Sequence, residues 1–200
     1  MFNWVTTDSF FAAPDGNLEW VVPDRKQVKA AVEAIPRLDT ILFGRRTFEI
    51  FENFWKEAVD SALTAPDPHN PGRRTREHGA IGILLQESTK FIFSKTLKGV
   101  RWKNSRILHQ IDPREIDAIK QQPGKDMMLF GSGSVVSQLT QQGLIDESQF
   151  LVCPVLLGNG RRLTEGLSGS VRLDLLDAQK YASGDVMLQY ARRNERSSRH

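Results

Sequence analysis

The chain has 200 residues, 40% of them hydrophobic and 26% charged, a composition that supports a buried core without covalent staples. Lys and Arg number 27 against 24 Asp and Glu, yet residues 191–200 hold Arg192, Arg193, Arg196 and Arg199 against Glu195 alone, leaving 23 basic and 23 acidic residues in 1–190. A neutral body excludes a basic nucleic-acid surface, the absence of a long apolar run excludes a membrane span, and the single cysteine, Cys153, excludes an internal disulfide or a cysteine-rich zinc site.

The opening MFNWVTTDSF lacks the basic-then-apolar build of a signal peptide, so a cytoplasmic location is expected. Phe2, Trp4 and Val5 form a short apolar segment, and Pro14-Asp15-Gly16-Asn17 has the residues of a turn. Val28, Ala31, Val32 and Ile35 recur at helical spacing, and Pro36 closes that helix. Thr40 to Phe43 reads as a buried strand entering Gly44, and Phe48, Phe51 and Trp55 mark the helix that follows. Residues 56–75, with Pro66, Pro68 and Pro71, read as a surface loop before a helix from Thr75 to Glu87.

Phe91-Ile92-Phe93 and Arg106-Ile107-Leu108 read as strands. Asp112-Pro113-Arg114-Glu115 opens a helix, with Asp as N-cap and Pro at the first helical position. Met127 to Phe130 is a buried strand, and Val135, Val136 and Leu139 face the core from the next helix. Three β segments close the chain, Phe150–Leu157, Val171–Ala178 and Val186–Ala191, with residues 181–185 as a hairpin connection. This order predicts one α/β domain over 1–190 with a mixed sheet, mostly parallel and antiparallel at its C-terminal side. Residues 191–200 are expected to be a flexible basic tail.

Three segments share one architecture, a buried strand followed at once by small or basic polar residues. They are Gly44-Arg45-Arg46-Thr47, Ser94-Lys95-Thr96 and Gly131-Ser132-Gly133-Ser134-Val135. Ligands of open α/β sheets bind beyond the carboxyl ends of strands. Glycines there let a phosphate approach the backbone, and the N–H groups of the next helix favour negative charge. Arginine, lysine and hydroxyl side chains at the same place suit an additional phosphate monoester, so the pattern asks for NADPH rather than NADH. Each segment alone also reads as an ordinary turn or helix start; the combination carries the argument.

The order of these motifs resembles the dihydrofolate-reductase-like superfamily, and within it the reductase domain of riboflavin biosynthesis. The resemblance rests on Thr7 to Gly16, Leu42 to Glu49, Phe91 to Leu97 with Trp102, Gly131 to Val136, Gly143 to Glu147 and Val152 to Gly160. It implies a three-layer α/β/α fold and a homodimer. It also implies that Gly44–Thr47 and Ser94–Thr96 bind the adenosine side and 2′-phosphate of NADPH, that Gly131–Val135 hold the pyrophosphate, and that Ala12 lies by the nicotinamide. Two departures stand out: Asp8-Ser9 replaces the usual Asp-Gly after the first strand, and Phe130 stands where the riboflavin reductases carry Glu. The paired cysteines of the associated deaminase are absent. Trp20 to Asp24 resembles the dihydrofolate reductase segment that supplies a tryptophan and a substrate-binding acid, one residue shorter.

Reducing a C=N bond takes a hydride from the nicotinamide and a proton. An Asp orients a protonated ring nitrogen, or relays a proton if burial raises its pKa, which makes Asp24 the first candidate and Asp8 the second. As plain structure, Asp24 reads as a helix N-cap, Asp8 as a turn residue and Trp20 as core rather than a substrate-stacking ring. His69, His78, His109 and His200 have no metal-ligand spacing, Cys153 reads as a buried inert thiol, and hydrolase and P-loop motifs are missing. The expected function is an NADPH-dependent reductase of a small heterocyclic or imine substrate, pteridine- or aminopyrimidine-like. The alternative is a nucleotide-binding regulatory or structural protein that kept the fold without the catalysis.

Overall fold

A computed structural model describes residues 1–22, 24–55, 66–67, 70–73 and 76–193. The elements in chain order are β1 (Phe2–Thr6), β2 (Phe10–Ala12), α1 (Arg25–Ala34), β3 (Leu38–Gly44), α2 (Arg45–Trp55), β4 (Pro66–Asp67), β5 (Asn70–Arg73), α3 (Arg76–Glu87), β6 (Thr89–Phe93) and β7 (Ser105–Leu108). They continue with α4 (Pro113–Lys120), β8 (Asp126–Leu129), α5 (Gly133–Gln141), β9 (Glu147–Cys153), β10 (Arg161–Arg162), β11 (Leu173–Lys180) and β12 (Val186–Arg192).

Hydrogen bonds order one sheet as β7-β6-β3-β8, all parallel, and a second as β1-β9-β12-β11, in which β1 and β9 are parallel and the rest antiparallel. The mixed α/β architecture with antiparallel C-terminal strands is as the sequence predicts. Alternation along β3 divides the core into two layers. Ile41 and Phe43 face Phe48 of α2 and Leu85 of α3, while Leu42 faces Val135, Val136 and Leu139 of α5 and Ile116 of α4. Val5 of β1 joins the second layer, which connects the two sheets through side chains.

Several boundaries follow local chemistry. Asp24 caps α1 by accepting from the backbone N–H groups of Lys26 and Gln27, and Gln27 returns the bond to the Asp24 N–H. Pro36 does not stop the chain dead; it sits in a 3-10 turn, Ile35–Arg37, that runs α1 into β3. Asp112 accepts from Arg114 N–H at 2.9 Å, the expected cap of α4. Gln27, on the buried side of α1, donates to the Asp185 carboxylate at 2.5 Å, and Ser183 donates to the same group at 2.6 Å. The Gln27 bond fastens α1 to the β11–β12 hairpin, and the Ser183 bond, within the hairpin, holds its acceptor.

Lys90 is fully buried in β6 and closes the C-terminal end of α3. Its Nζ donates to the carbonyls of Leu85 and Ser88, both at 2.7 Å, and lies 4.9 Å from the Trp102 ring centre. Burial pushes its pKa down to about 8.

Three expectations change. Within residues 56–75, β4 and β5 form a short antiparallel ladder where a plain loop is predicted; residues 56–65, 68–69 and 74–75 lie outside the described part. β9 starts three residues earlier than predicted and stops at Cys153, because Glu147 to Cys153 pair with β12 or β1 while Pro154 supplies no N–H. The tail begins later than residue 191: Ala191 and Arg192 pair within the sheet, and Arg193 donates through Nε to Asp174 at 2.6 Å. Residues 194–200 lie outside the described part. None of the described helices is long and apolar enough to cross a membrane.

Candidate functional site

Because β3, β6 and β8 are parallel and in register, their carboxyl ends emerge side by side. Each ends just before one of the three polar segments. A cavity of about 520 Å³ opens there, lined by Arg45 and Arg46 after β3, Ser94, Lys95 and Thr96 after β6, and Ser132 to Val135 after β8. Nine residues singled out from sequence thus meet in one cavity.

The charges in this cavity are not equivalent. Arg45 is committed on two sides, with Nε donating to Glu49 at 2.7 Å and Nη1 to Thr96 Oγ1 at 2.7 Å. Among the described residues, Arg46 and Lys95 have no hydrogen-bond or ion-pair partner, which leaves their charges available to a ligand. Ser94 Oγ accepts from Leu97 N–H at 2.9 Å and fixes the turn that presents Lys95 and Thr96. Ser132, the N-cap of α5, makes no side-chain capping bond, which leaves the positive helix end uncapped toward the cavity.

Close backbone contact explains two of the glycines. Gly44 N–H donates to the Gly131 carbonyl at 2.9 Å, and a Cβ on Gly44 would lie 2.8 Å from Ser132 N. A Cβ on Gly133 would lie 2.8 Å from Phe11 Cε1. Gly131 itself has φ +64°, and the Gly131–Ser132 peptide is cis.

Phe11, Phe93, Arg161, Arg162 and Glu165 also line the cavity, and the sequence reading missed them. Arg161 and Arg162 form β10, which pairs with β2 far away in sequence. Arg161 donates to the Pro14 carbonyl through Nε and Nη2 at 3.1 and 3.0 Å, bracing the 14–17 turn, and Arg162 lies 4.9 Å from the Phe10 ring centre. Gly160, just before them, fits closely against β2: a Cβ there would come within 2.5 Å of the Ala12 carbonyl.

Other predicted residues stand outside the cavity lining. Gly44 and Gly131 form the backbone seam behind it, and Thr47 Oγ1 lies against Gly131. Ala12 is buried at 3% exposure and pairs with Arg161, so its neighbour Phe11 is the residue that reaches the cavity. Trp20 is half-buried, and its Nε1 has no hydrogen-bond partner.

Asp24 and Asp8 both lack the raised pKa that a proton relay needs, and Asp24 has the capping role that its plain structural reading gives it. Asp24 is the N-cap of α1, and bonds from the Gln27 backbone hold its pKa below the usual carboxylate value. Asp8 accepts from Thr6 Oγ1 at 2.6 Å, Gly158 N–H at 2.7 Å and Leu157 N–H at 3.3 Å. Its pKa is lowered too, chiefly by the Thr6 bond. A relay of the predicted kind needs a raised pKa, and hydrogen bonding to the charged form overrides desolvation at both sites. The preceding turn keeps Ser9 at φ 70°, the conformation for which glycine is the usual residue.

Among the described residues no group of histidine, cysteine or acidic side chains is placed to hold a metal ion. Cys153 is buried, with its thiol pKa pushed up to about 12, mainly by burial.

Comparison with known proteins agrees with this architecture. The family described as RibD C-terminal domain matches residues 1–187. The uncharacterized Bacillus subtilis (strain 168) protein YyaP is 26% identical over 190 residues, covering 93% of this chain and 90% of that protein. A Shewanella sp. PV-4 structure assigned by name to riboflavin biosynthesis superposes with a TM-score of 0.71 at 20% identity, covering 96% of this chain and 97% of that one. Enterococcus faecalis dihydrofolate reductase complexed with NADP(H) superposes with a TM-score of 0.60 at 14% identity, covering 96% and 95%.

Proposed function

The chain belongs to the RibD C-terminal domain family, and from that premise we propose that it is an NADPH-dependent reductase of a small heterocyclic or imine substrate. The observation that carries the reading is the meeting of three strand ends on one cavity in which Arg46 and Lys95 are unpaired cations. The fit to a phosphorylated dinucleotide is local: glycines where a side chain would collide, an uncapped helix N-terminus, and two free positive charges. When bound, NADPH supplies the hydride.

The residues then divide the work. Ser132 to Val135 present the start of α5 to the pyrophosphate. Arg46 and Lys95 bind the 2′-phosphate, with Arg45 and Thr96, tied to one another, forming the side of that pocket. Phe11 and Phe93 give the cavity its apolar lining and keep water from part of it. With Asp8 and Asp24 both held ionised, the proton comes from water or from a substrate already protonated. The relatives whose names specify a reductase, among them dihydrofolate reductase and the Thermotoga maritima deaminase/5-amino-6-(5-phosphoribosylamino)uracil reductase, support the reaction class.

The test is consumption of NADPH, followed by absorbance, against a panel of oxidised pterins, aminopyrimidines and cyclic imines. Substrate-dependent consumption supports the reductase. NADPH binding with no turnover across the panel is the outcome expected of a binding protein that kept only the fold.

A further inference from the structure

Arg162 lines the same cavity as Arg46 and Lys95 but reaches it from a different element. It belongs to β10, which pairs with β2 so that Arg161 stands opposite Ala12 and Arg162 opposite Phe10. Phe10 is buried and Arg162 exposed, with its guanidinium over the Phe10 ring, 4.9 Å from the ring centre. A ring face steadies the plane of an arginine without taking up its N–H groups. Arg161 spends its donors on the Pro14 carbonyl. Among the described residues, the Arg162 guanidinium has no hydrogen-bond or ion-pair partner.

The backbone of this segment is fixed against the start of α5. A Cβ on Gly133, the first residue of α5, would lie 3.1 Å from the Arg162 carbonyl oxygen and 3.2 Å from that of Leu163. One turn later, Ser137 Oγ donates to the Leu163 carbonyl at 3.2 Å and to the Glu165 carbonyl at 2.8 Å. The same helix start meets the end of β3, where a Cβ on Gly44 would collide with Ser132. The uncapped amino end of α5 therefore joins two groups of cations, Arg46 and Lys95 after β3 and β6, and Arg162 on β10. Glu165 also lines the cavity and makes no ion pair with these three among the described residues.

We infer that Arg162 is a side-chain clamp for the pyrophosphate bridge of the nucleotide, donating from its planar fork to the phosphate oxygens that the start of α5 receives. The inference deepens the NADPH reading and rests on it for the identity of the ligand. NADPH carries negative charge at two places, the 2′-phosphate and the bridge, and the cavity holds unpaired cations on two separate elements. Arg46 and Lys95 read the group that distinguishes NADPH from NADH; Arg162 reads the group that both share.

The experiment uses three probes and calorimetry on the full chain. ADP-ribose has the bridge without the 2′-phosphate, adenosine 2′-monophosphate has the 2′-phosphate without the bridge, and NADPH has both. The wild type is compared with Arg162→Ala and with Arg162→Met, which keeps an apolar stem against Phe10 but no charge. Both variants are expected to weaken ADP-ribose and NADPH by a similar factor, about tenfold or more, and to change adenosine 2′-monophosphate by less than about twofold. Parallel loss of all three probes would show a cavity that collapses without Arg162, and wild-type ADP-ribose affinity in Arg162→Met would show a packing role; either result overturns the clamp. So does unchanged binding in both variants, a loss that spares ADP-ribose, or a wild type that does not bind ADP-ribose. The reductase reading fails separately: ADP-ribose binding that depends on Arg162, with no NADPH turnover across the substrate panel, supports the clamp and refutes the reductase.

Discussion

Gly44 N–H donates to the Gly131 carbonyl across 2.9 Å, joining the end of β3 to the turn that opens α5. This bond extends the β3–β8 pairing and brings the first and third polar segments together although nearly ninety residues separate them in the chain. Placing Gly44 directly against Ser132 leaves no room for a side chain, with a Cβ only 2.8 Å from the Ser132 nitrogen and in contact with its Oγ. Gly44→Ala is therefore expected to push the seam apart, cost about 1–3 kcal/mol in urea denaturation, and weaken NADPH binding in a parallel titration. An alanine protein with unchanged stability and NADPH affinity would contradict the tight seam.

Arg45, Arg46 and Lys95, three of the five cations that line the cavity, should separate by their protein partners. Arg46→Ala and Lys95→Ala each remove an unpaired charge and should weaken NADPH about tenfold or more while sparing NADH. Arg45→Ala loses a side chain already bonded to Glu49 and Thr96 and should discriminate less between the two nucleotides. Dissociation constants for both nucleotides, measured on all three variants, check the order.

Asp24 is expected to behave as a cap. Asp24→Ala should lower stability by about 1 kcal/mol, and Asp24→Asn, which keeps the accepting oxygen, should lose much less. The carboxylate's folded pKa lies below its unfolded value, so its contribution is present above the unfolded pKa and fades as pH falls through the folded one. Thermal melts of both variants at pH 7 and pH 3 test this, with the wild-type advantage over Asp24→Ala shrinking at the lower pH.

Lys90 gives a pH dependence of the opposite kind. Its pKa is lowered to about 8 in the folded chain from the usual 10.5, so between these values the unfolded state holds the extra proton. Stability should then rise with pH across that window, by on the order of 2 kcal/mol from this group. Urea midpoints at pH 7.5 and 10 for the wild type and Lys90→Met should show the rise only in the wild type. The variant should also be less stable at both values, because the Leu85 and Ser88 carbonyls lose their donor.

What could be read from the sequence depended on how local the signal was. The Asp112 cap, the buried β3 run into Gly44 and the strand ends before Arg45, Ser94 and Gly131 are encoded within a few residues, and the structure places them as expected. Arg161 and Arg162 reach the cavity only because a two-residue strand pairs with β2, nearly 150 positions earlier, and no local pattern announces that pairing. Asp24 was legible as a helix N-cap and Asp8 as a turn residue, but their pKa directions were not. Whether a carboxylate stores a proton depends on which N–H groups converge on it, and those of Gly158 and Leu157 come from the far end of the chain.

The most direct measurement is the melting temperature of the full chain with NADPH and with NADH at equal concentration. If Arg46 and Lys95 receive a 2′-phosphate, NADPH raises the transition by several degrees more than NADH, and the difference disappears in the Arg46→Ala, Lys95→Ala double variant. Equal shifts with the two nucleotides, or no shift with either, would contradict the account.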